Sequence, residues 1–332
     1  MQILLLVKQS LGLKMECYRL SFKAAFHVDS RGNDFYEESN TFIHSDTLSA
    51  AILATLATVS PEDVTKQAQS PSFRISSAFP FYKEVYFLPR VLSSQAIKLP
   101  VDRLREAKKL KKIQWLDTDL WKASLTSPQW AEQINLSGGV CQGVIASKSD
   151  HLPERLWVEE ERPRLAIDRA TNQSSDGKLF NFSRIWFHPE GGLYFLAVFT
   201  DEASQQQFET MLSILGDSGI GADRTNGNGH FTWQRGKNPG LQLADHHKSV
   251  ALSLVNPTPS DCQNGWLDES AYKLISRGGW VGGSGLRKQR LRMFTEGSVF
   301  SKPLQGRVVD VSIDGMQQKV YRDGRGFFVK AG

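Results

Sequence analysis

Cysteine is scarce: the 332 residues contain three, Cys17, Cys141 and Cys262, and no two of them stand in a C-x-x-C spacing. That scatter excludes a disulfide framework and the common thiolate metal or redox motifs, and it points to the cytoplasm. Long apolar runs are also missing. Ile3 to Val7, the longest aliphatic run near the start, is far shorter than the roughly 20 residues a membrane helix needs. No basic segment precedes that run and no small-residue cleavage site follows it, so no secretory leader is expected. Neither a Walker loop nor the Rossmann glycine fingerprint occurs, which removes support for a nucleotide-using enzyme and for a nucleotide cofactor.

What is present fits an ordinary globular protein, with 40% hydrophobic, 10% aromatic and 23% charged residues. The length suggests two modest domains or one elaborated one. Forty Lys plus Arg against 35 Asp plus Glu give a net charge of +5, compatible with a polyanionic partner.

Tyr18, Leu20 and Phe22 alternate with Arg19 and Ser21, as in a half-buried strand over 17–22. Leu48, Ile52, Leu56 and Val59 recur at helical spacing over 47–59, with Ser45 or Asp46 as the N-cap and Pro61 beyond the end. A hairpin interrupted by Pro80 is expected over 73–88. Arg103, Arg105, Lys108, Lys109, Lys111 and Lys112 crowd a helix whose apolar side would be Leu104, Leu110, Ile113 and Leu116, and a solvated face explains such a charge run best. Leu193 to Phe199 reads as a strand buried on both faces. Phe208, Met211, Leu212 and Leu215 mark a helix ending at Gly216. A loop from Gly219 to Gly229 and a strand over 230–234 complete the unit.

This order is an α+β, ferredoxin-like (RRM-like) βαββαβ domain over 15–240, with a large insertion at about 89–190. A second, smaller β-rich domain over 241–332, a degenerate ferredoxin-like repeat, would hold the alternating strand around Val250, Leu252 and Leu254, a strand over 307–313, an Asp314-Gly315 hairpin turn and a return strand to Tyr321.

The Gly-rich loop is expected to lie outside the core strands, with Gly219, Gly221, Gly227 and Gly229 letting backbone N–H groups face an anion and Arg224 adding charge. Between Gly278 and Arg292, the cations Arg287, Lys288, Arg290 and Arg292 follow Arg277 and Trp280, a pattern suited to phosphates with one stacked base. His27 and His44 suit metal-independent RNA cleavage as base and acid, or simple hydrogen bonding. Asp245-His246-His247 resembles the D-H-H signature of a phosphoesterase family but lacks the spaced aspartates such a metal site requires.

Phe22-Lys-Ala-Ala-Phe-His27 followed by Ile43-His-Ser-Asp-Thr-Leu48 resembles the opening of RAMP-superfamily CRISPR proteins. Glu161-Arg-Pro-Arg-Leu-Ala-Ile-Asp-Arg169, the Gly-rich loop, Ser276-Arg-Gly-Gly-Trp-Val281 and Arg292-Met-Phe-Thr-Glu-Gly-Ser-Val-Phe300 are similar to the fourth subunit of the type III-A (Csm) interference complex. Residues 1–14 fall outside that pattern, which supports Met15 as the start.

The resemblance implies a non-catalytic, antiviral RNA-binding subunit that grips the repeat-derived 5′ handle of the crRNA. It would dock the large polymerase-like subunit and the backbone RAMP subunits, with target RNA nearby, no membrane and no cofactor. Its RNA-binding residues would be His27, His44, Ser45, Arg169, Gly219, Gly221, Arg224, Gly227, Gly229, Arg277, Trp280, Lys288, Arg290 and Arg292. The alternative within the superfamily is a repeat-processing endoribonuclease using His27 or His44.

Overall fold

The computed structural model describes residues 14–29, 36–93, 98–135, 138–149, 151–167, 174–263, 265–281, 285–316 and 318–331. Strand β1 (Glu16–Phe22) is followed by helices α1 (Ser45–Val59) and α2 (Pro61–Gln69), then by β2 (Phe73–Ile75), β3 (Phe79–Tyr82) and β4 (Val85–Pro89). Next come α3 (Ala107–Lys112), β5 (Trp115–Asp117), α4 (Thr118–Thr126), β6 (Val140–Cys141), β7 (Ile145–Ala146) and the hairpin of β8 (Trp157–Ile167) and β9 (Ser174–Phe187). Strand β10 (Gly191–Phe199), α5 (Glu202–Ser218) and β11 (Phe231–Gly236) close the first part.

The main sheet runs β11-β1-β10-β3-β4-β5-β7-β6, with β2 also paired to β10. Its first four members have the fourth, first, third, second order of a ferredoxin-like βαββαβ unit, and the segment between β4 and β10 extends the same sheet through β5, β7 and β6. β10 is central because Gly191–Phe199 is almost wholly apolar, its one hydroxyl, on Tyr194, donating to the Phe87 carbonyl at 3.0 Å, and every one of its residues is buried. Tyr18 of β1 stacks on Phe195 of β10 at 5.2 Å and meets Phe208 of α5 at 5.8 Å, so the aromatic alternation read in the sequence becomes the contact between sheet and helix.

The remainder is β-rich and has no helix among its described residues. β12 (Ser249–Ala251) pairs with β15 (Val299–Phe300) and β18 (Phe328–Lys330). Two hairpins accompany it: β13 (Leu274–Arg277) with β14 (Leu291–Phe294), and β16 (Gly306–Asp310) with β17 (Tyr321–Arg325). Val250, Leu252, Val299, Phe327 and Val329 join the same apolar core as Tyr18 and Phe195. No helix among the described residues is long and apolar enough to cross a membrane.

Several boundaries move. Ser45 and Asp46 lie inside α1 and not at its cap, which is His44 without a side-chain cap bond. Both side chains are committed elsewhere: Ser45 Oγ accepts from the Leu254 N–H at 3.0 Å, and Asp46 binds arginines. Pro61 opens α2 at its first turn, where a missing N–H costs nothing. α5 passes through Gly216, packed against Phe231, and ends at Gly219, whose φ of 80° suits a C-terminal glycine. The basic stretch divides into a 3₁₀ turn over Val101–Glu106 and the short α3, while Leu116 belongs to β5. Lys108, Lys109, Lys111 and Lys112 face solvent, whereas Arg103 is held by Glu106 at 2.6 Å and the Glu132 carbonyl at 3.0 Å. Tyr321 begins the return strand instead of ending it.

Candidate nucleic-acid interface

A cleft of about 380 Å³ opens where the start of α1, the segment after β1, the Gly-rich loop and the two C-terminal hairpins converge. This volume is in the range of a small-ligand or single-nucleotide pocket. His27, Gly221, Arg277, Trp280 and Lys288, which are scattered in sequence, line it together. Tyr36, Asp46 and Arg322 complete its walls.

The Gly-rich loop is a built structure tied to the segment after β1 and to β8. Gly221 has φ 93°, and a Cβ there would lie 2.1 Å from the His27 carbonyl oxygen, so the close approach excludes any side chain. The same carbonyl accepts from the Ala222 N–H at 2.9 Å, and the Ala25 carbonyl accepts from Gly229 at 2.8 Å. Asp223, in a left-handed conformation, accepts from Arg164 at 2.9 Å and from the amide of Asn228 at 2.7 Å. Gly227 differs: its φ is 81°, but the space around its Cα is open. Arg224 is exposed on the short helical turn of the loop. The loop is therefore anchored through Gly219, Gly221 and Gly229 and displays its tip at Arg224 and Gly227.

His27 is buried beside Phe182, at 4.7 Å between rings, with Nδ1 2.7 Å from the Ser183 carbonyl. Burial pushes its pKa down, against the hydrogen bond to Ser183 and the charges of Asp29 and Asp223. His44 lies away from the cleft lining, buried with its Nδ1 2.8 Å from Glu296 Oε1. Ser77 Oγ also donates to that carboxylate. Burial raises the Glu296 pKa, but His44 and the Ser77 hydrogen bond outweigh it and leave the group below its ordinary value. His44 and Ser45 thus act in the structure as links from α1 to the C-terminal strands.

Arg277, 4% exposed, is no solvated cation. Its Nε and a terminal nitrogen reach Asp46 at 3.0 and 3.1 Å, and the latter also donates to Thr47 Oγ1 at 2.8 Å. Arg322 binds the same Asp46 oxygen as Arg277 Nε and donates to the Gly278 carbonyl at 2.5 Å. Burial raises the Asp46 pKa, yet the two guanidiniums overcome it and hold the carboxyl well below the usual range. Trp280 is 42% exposed, with the Arg287 guanidinium 4.7 Å above its ring. Arg290 is exposed outside the cleft lining. Arg292, exposed on β14, is opposite Ser276 in register, so it shares the sheet face that alternates away from Arg277. Arg169 lies outside the described residues.

Sequence reasoning missed Asp46 as more than a cap, and it missed Arg322 and Tyr36 altogether. The S-D-T-L helix start was a signal for Asp46; Arg322 stands in an exposed-looking hairpin and carried none. Asp245 accepts from the His246 backbone at 2.7 Å, and no group of histidine, cysteine and acidic side chains able to hold a metal occurs among the described residues.

The family described as the CRISPR Csm4 C-terminal domain matches residues 244–331. The CRISPR system Cms protein Csm4 of Thermococcus onnurineus (strain NA1) is 27% identical over 68% of this chain and 69% of its own length. Residues 244–331 match the Csm4 C-terminal family, and the chain is similar to Csm4 proteins over most of its length. The Csm4 of Streptococcus thermophilus is 25% identical over 82% of this chain and 84% of its own. Among solved structures, a chain of the Csm3-Csm4 subcomplex in the type III-A CRISPR-Cas interference complex superposes with a TM-score of 0.66 at 18% identity, covering 95% of this chain and 98% of that one. A chain of the Csm1-Csm4 cassette in complex with cA4 gives 0.57 at 20% identity, covering 95% and 97%. These likenesses support the α+β, RAMP ferredoxin-like fold.

Proposed function

We propose that this chain is a non-catalytic RNA-binding subunit of a type III-A CRISPR interference complex, holding the 5′ handle of the crRNA and docking the large polymerase-like subunit and a backbone RAMP subunit. The observation that carries the reading is the convergence of the Gly-rich loop, Trp280 and Lys288 on one cleft. Specific RNA recognition works on unpaired nucleotides that stack on aromatic or guanidinium planes, and the Trp280–Arg287 pair beside a nucleotide-sized cleft provides such a plane. Exposed Arg224, Arg290 and Arg292 supply phosphate contacts around it. The neighbours solved as Csm3-Csm4 and Csm1-Csm4 assemblies support the two protein contacts. The proposal includes an N-terminal domain over 15–240, with its insertion at about 89–190, a C-terminal domain over 241–332, and a cytoplasmic site of action.

The endoribonuclease alternative needs two mobile protons near neutrality. Among the described residues, His27 is the one histidine lining the cleft, and His44 is engaged by Glu296. Incubating the protein, co-purified with its neighbouring subunits, with repeat-derived RNA tests both readings. Retention of intact RNA is the expected result; metal-independent cleavage that disappears in His27→Ala would replace the proposal with the alternative.

A further inference from the structure

Among the described residues, three cations and two carboxylates line the cleft: Arg277, Lys288 and Arg322 against Asp29 and Asp46. Their charges sum to plus one on a partly enclosed wall. Both arginines pair with Asp46, although Arg322 Nε has no hydrogen-bond partner among the described residues. Arg277 grips Asp46 through two nitrogens, and Arg322 divides its terminal nitrogens between Asp46 and the Gly278 carbonyl. Lys288 is different. It is half-buried, its backbone N–H is fixed on the Gly279 carbonyl at 2.9 Å, and its ammonium has no hydrogen bond or ion pair among the described residues. Burial lowers the pKa of that amine, as do the nearby Arg322 and Arg277, with Asp46 opposing them. A half-buried ammonium without an acceptor is costly. An anion entering the cleft would remove that cost.

We propose that Lys288 holds one backbone phosphate of the RNA strand in the cleft, and that Asp46 is a positioning residue that withholds Arg277 and Arg322 from the RNA. This rests on the RNA-binding reading above. Asp46 acts at a distance from the ligand. By holding Arg277 at the end of β13 and Arg322 on β17, it fixes the Gly278–Trp280 segment, whose Gly279 carbonyl in turn holds Lys288. Asp46 therefore sets both the position of the wall and the number of charges it presents.

The test is the salt dependence of affinity for single-stranded repeat RNA, measured with the chain in complex with its neighbouring subunits. Lys288→Met keeps the aliphatic stem and removes one charge. It should flatten the slope of log affinity against log salt by about 0.7, the value of one phosphate contact on a single strand, without lowering the melting temperature, and Lys288→Arg should restore the slope. Asp46→Asn frees two guanidiniums and should steepen the slope. RNAs carrying single methylphosphonate linkages should reveal one linkage whose neutralisation weakens the wild type but not Lys288→Met. Parallel salt lines for wild type and Lys288→Met, with RNA still bound, overturn this proposal and leave the general RNA reading intact. An unchanged slope in folded Asp46→Asn overturns the withholding role. A wild-type complex that binds no RNA overturns both readings together.

Discussion

Gly221 and the carbonyl oxygen of His27 stand so close that a Cβ on Gly221 would lie 2.1 Å from that oxygen, with the Ala222 N–H donating to the same atom. The contact makes Gly221 a packing position, whereas Gly227, equally left-handed, has open space around it. Gly221→Ala should therefore cost more stability than Gly227→Ala, which pays only the left-handed penalty of ~1–2 kcal/mol. Chemical denaturation of both variants checks this, and equal losses would mean that the loop yields to the side chain. If the loop tip meets RNA, Gly227→Val should weaken RNA binding by more than its loss of folding stability accounts for.

Ser45 ties the first turn of α1 to the C-terminal strands by accepting from the buried Leu254 N–H at 3.0 Å. Ser45→Ala leaves that donor unpaired, at ~1–3 kcal/mol. The expected reading is a lower urea midpoint with an unchanged m-value, and no effect on the midpoint would show that the link carries no energy.

Asp46 and Glu296 both have pKa values below their ordinary ones, each despite burial that acts the other way. Their unfolded forms take protons near pH ~4 while the folded forms remain ionised. The unfolded state then binds more protons, so this stabilisation is complete above pH ~5 and is lost as pH falls. Unfolding free energies from pH 7 to pH 3 should decline steeply in the wild type and less so in Glu296→Gln. Identical profiles would remove Glu296 from the acid response.

Trp280 projects half-exposed beneath the Arg287 guanidinium, where the stacking surface contributes little to the fold. Trp280→Ala should weaken RNA binding by ~1–3 kcal/mol, the range for one stacked base, with little change in melting temperature. Trp280→Phe should retain most of the affinity. Loss of melting temperature in step with affinity would make Trp280 a structural residue.

Much of the ferredoxin-like frame was legible because periodicity reports burial directly. Tyr18, Leu20 and Phe22 had to share a face, and Leu193 to Phe199 had no polar side to turn outward. The Gly-rich loop also announced itself, since glycines at such density mark positive φ or close approach. Spacing along a chain does not tell which of the two applies at each position. The contact with His27 decides it for Gly221, and open space decides it for Gly227.

The charged residues divided differently. Composition and local clustering marked Arg277, Lys288, Arg290 and Arg292 as one basic set, because sequence proximity alone gives every cation the same standing. The fold separates them: strand alternation turns Arg292 away from Arg277, and burial brings Arg277 to Asp46, 231 positions earlier, where Arg322 joins the same carboxylate. Whether a guanidinium is spent on the protein or left to a ligand depends on which carboxylate lies within about 3 Å. That distance is set by the packing of α1 against two hairpins distant in sequence, so it belongs to the tertiary structure alone.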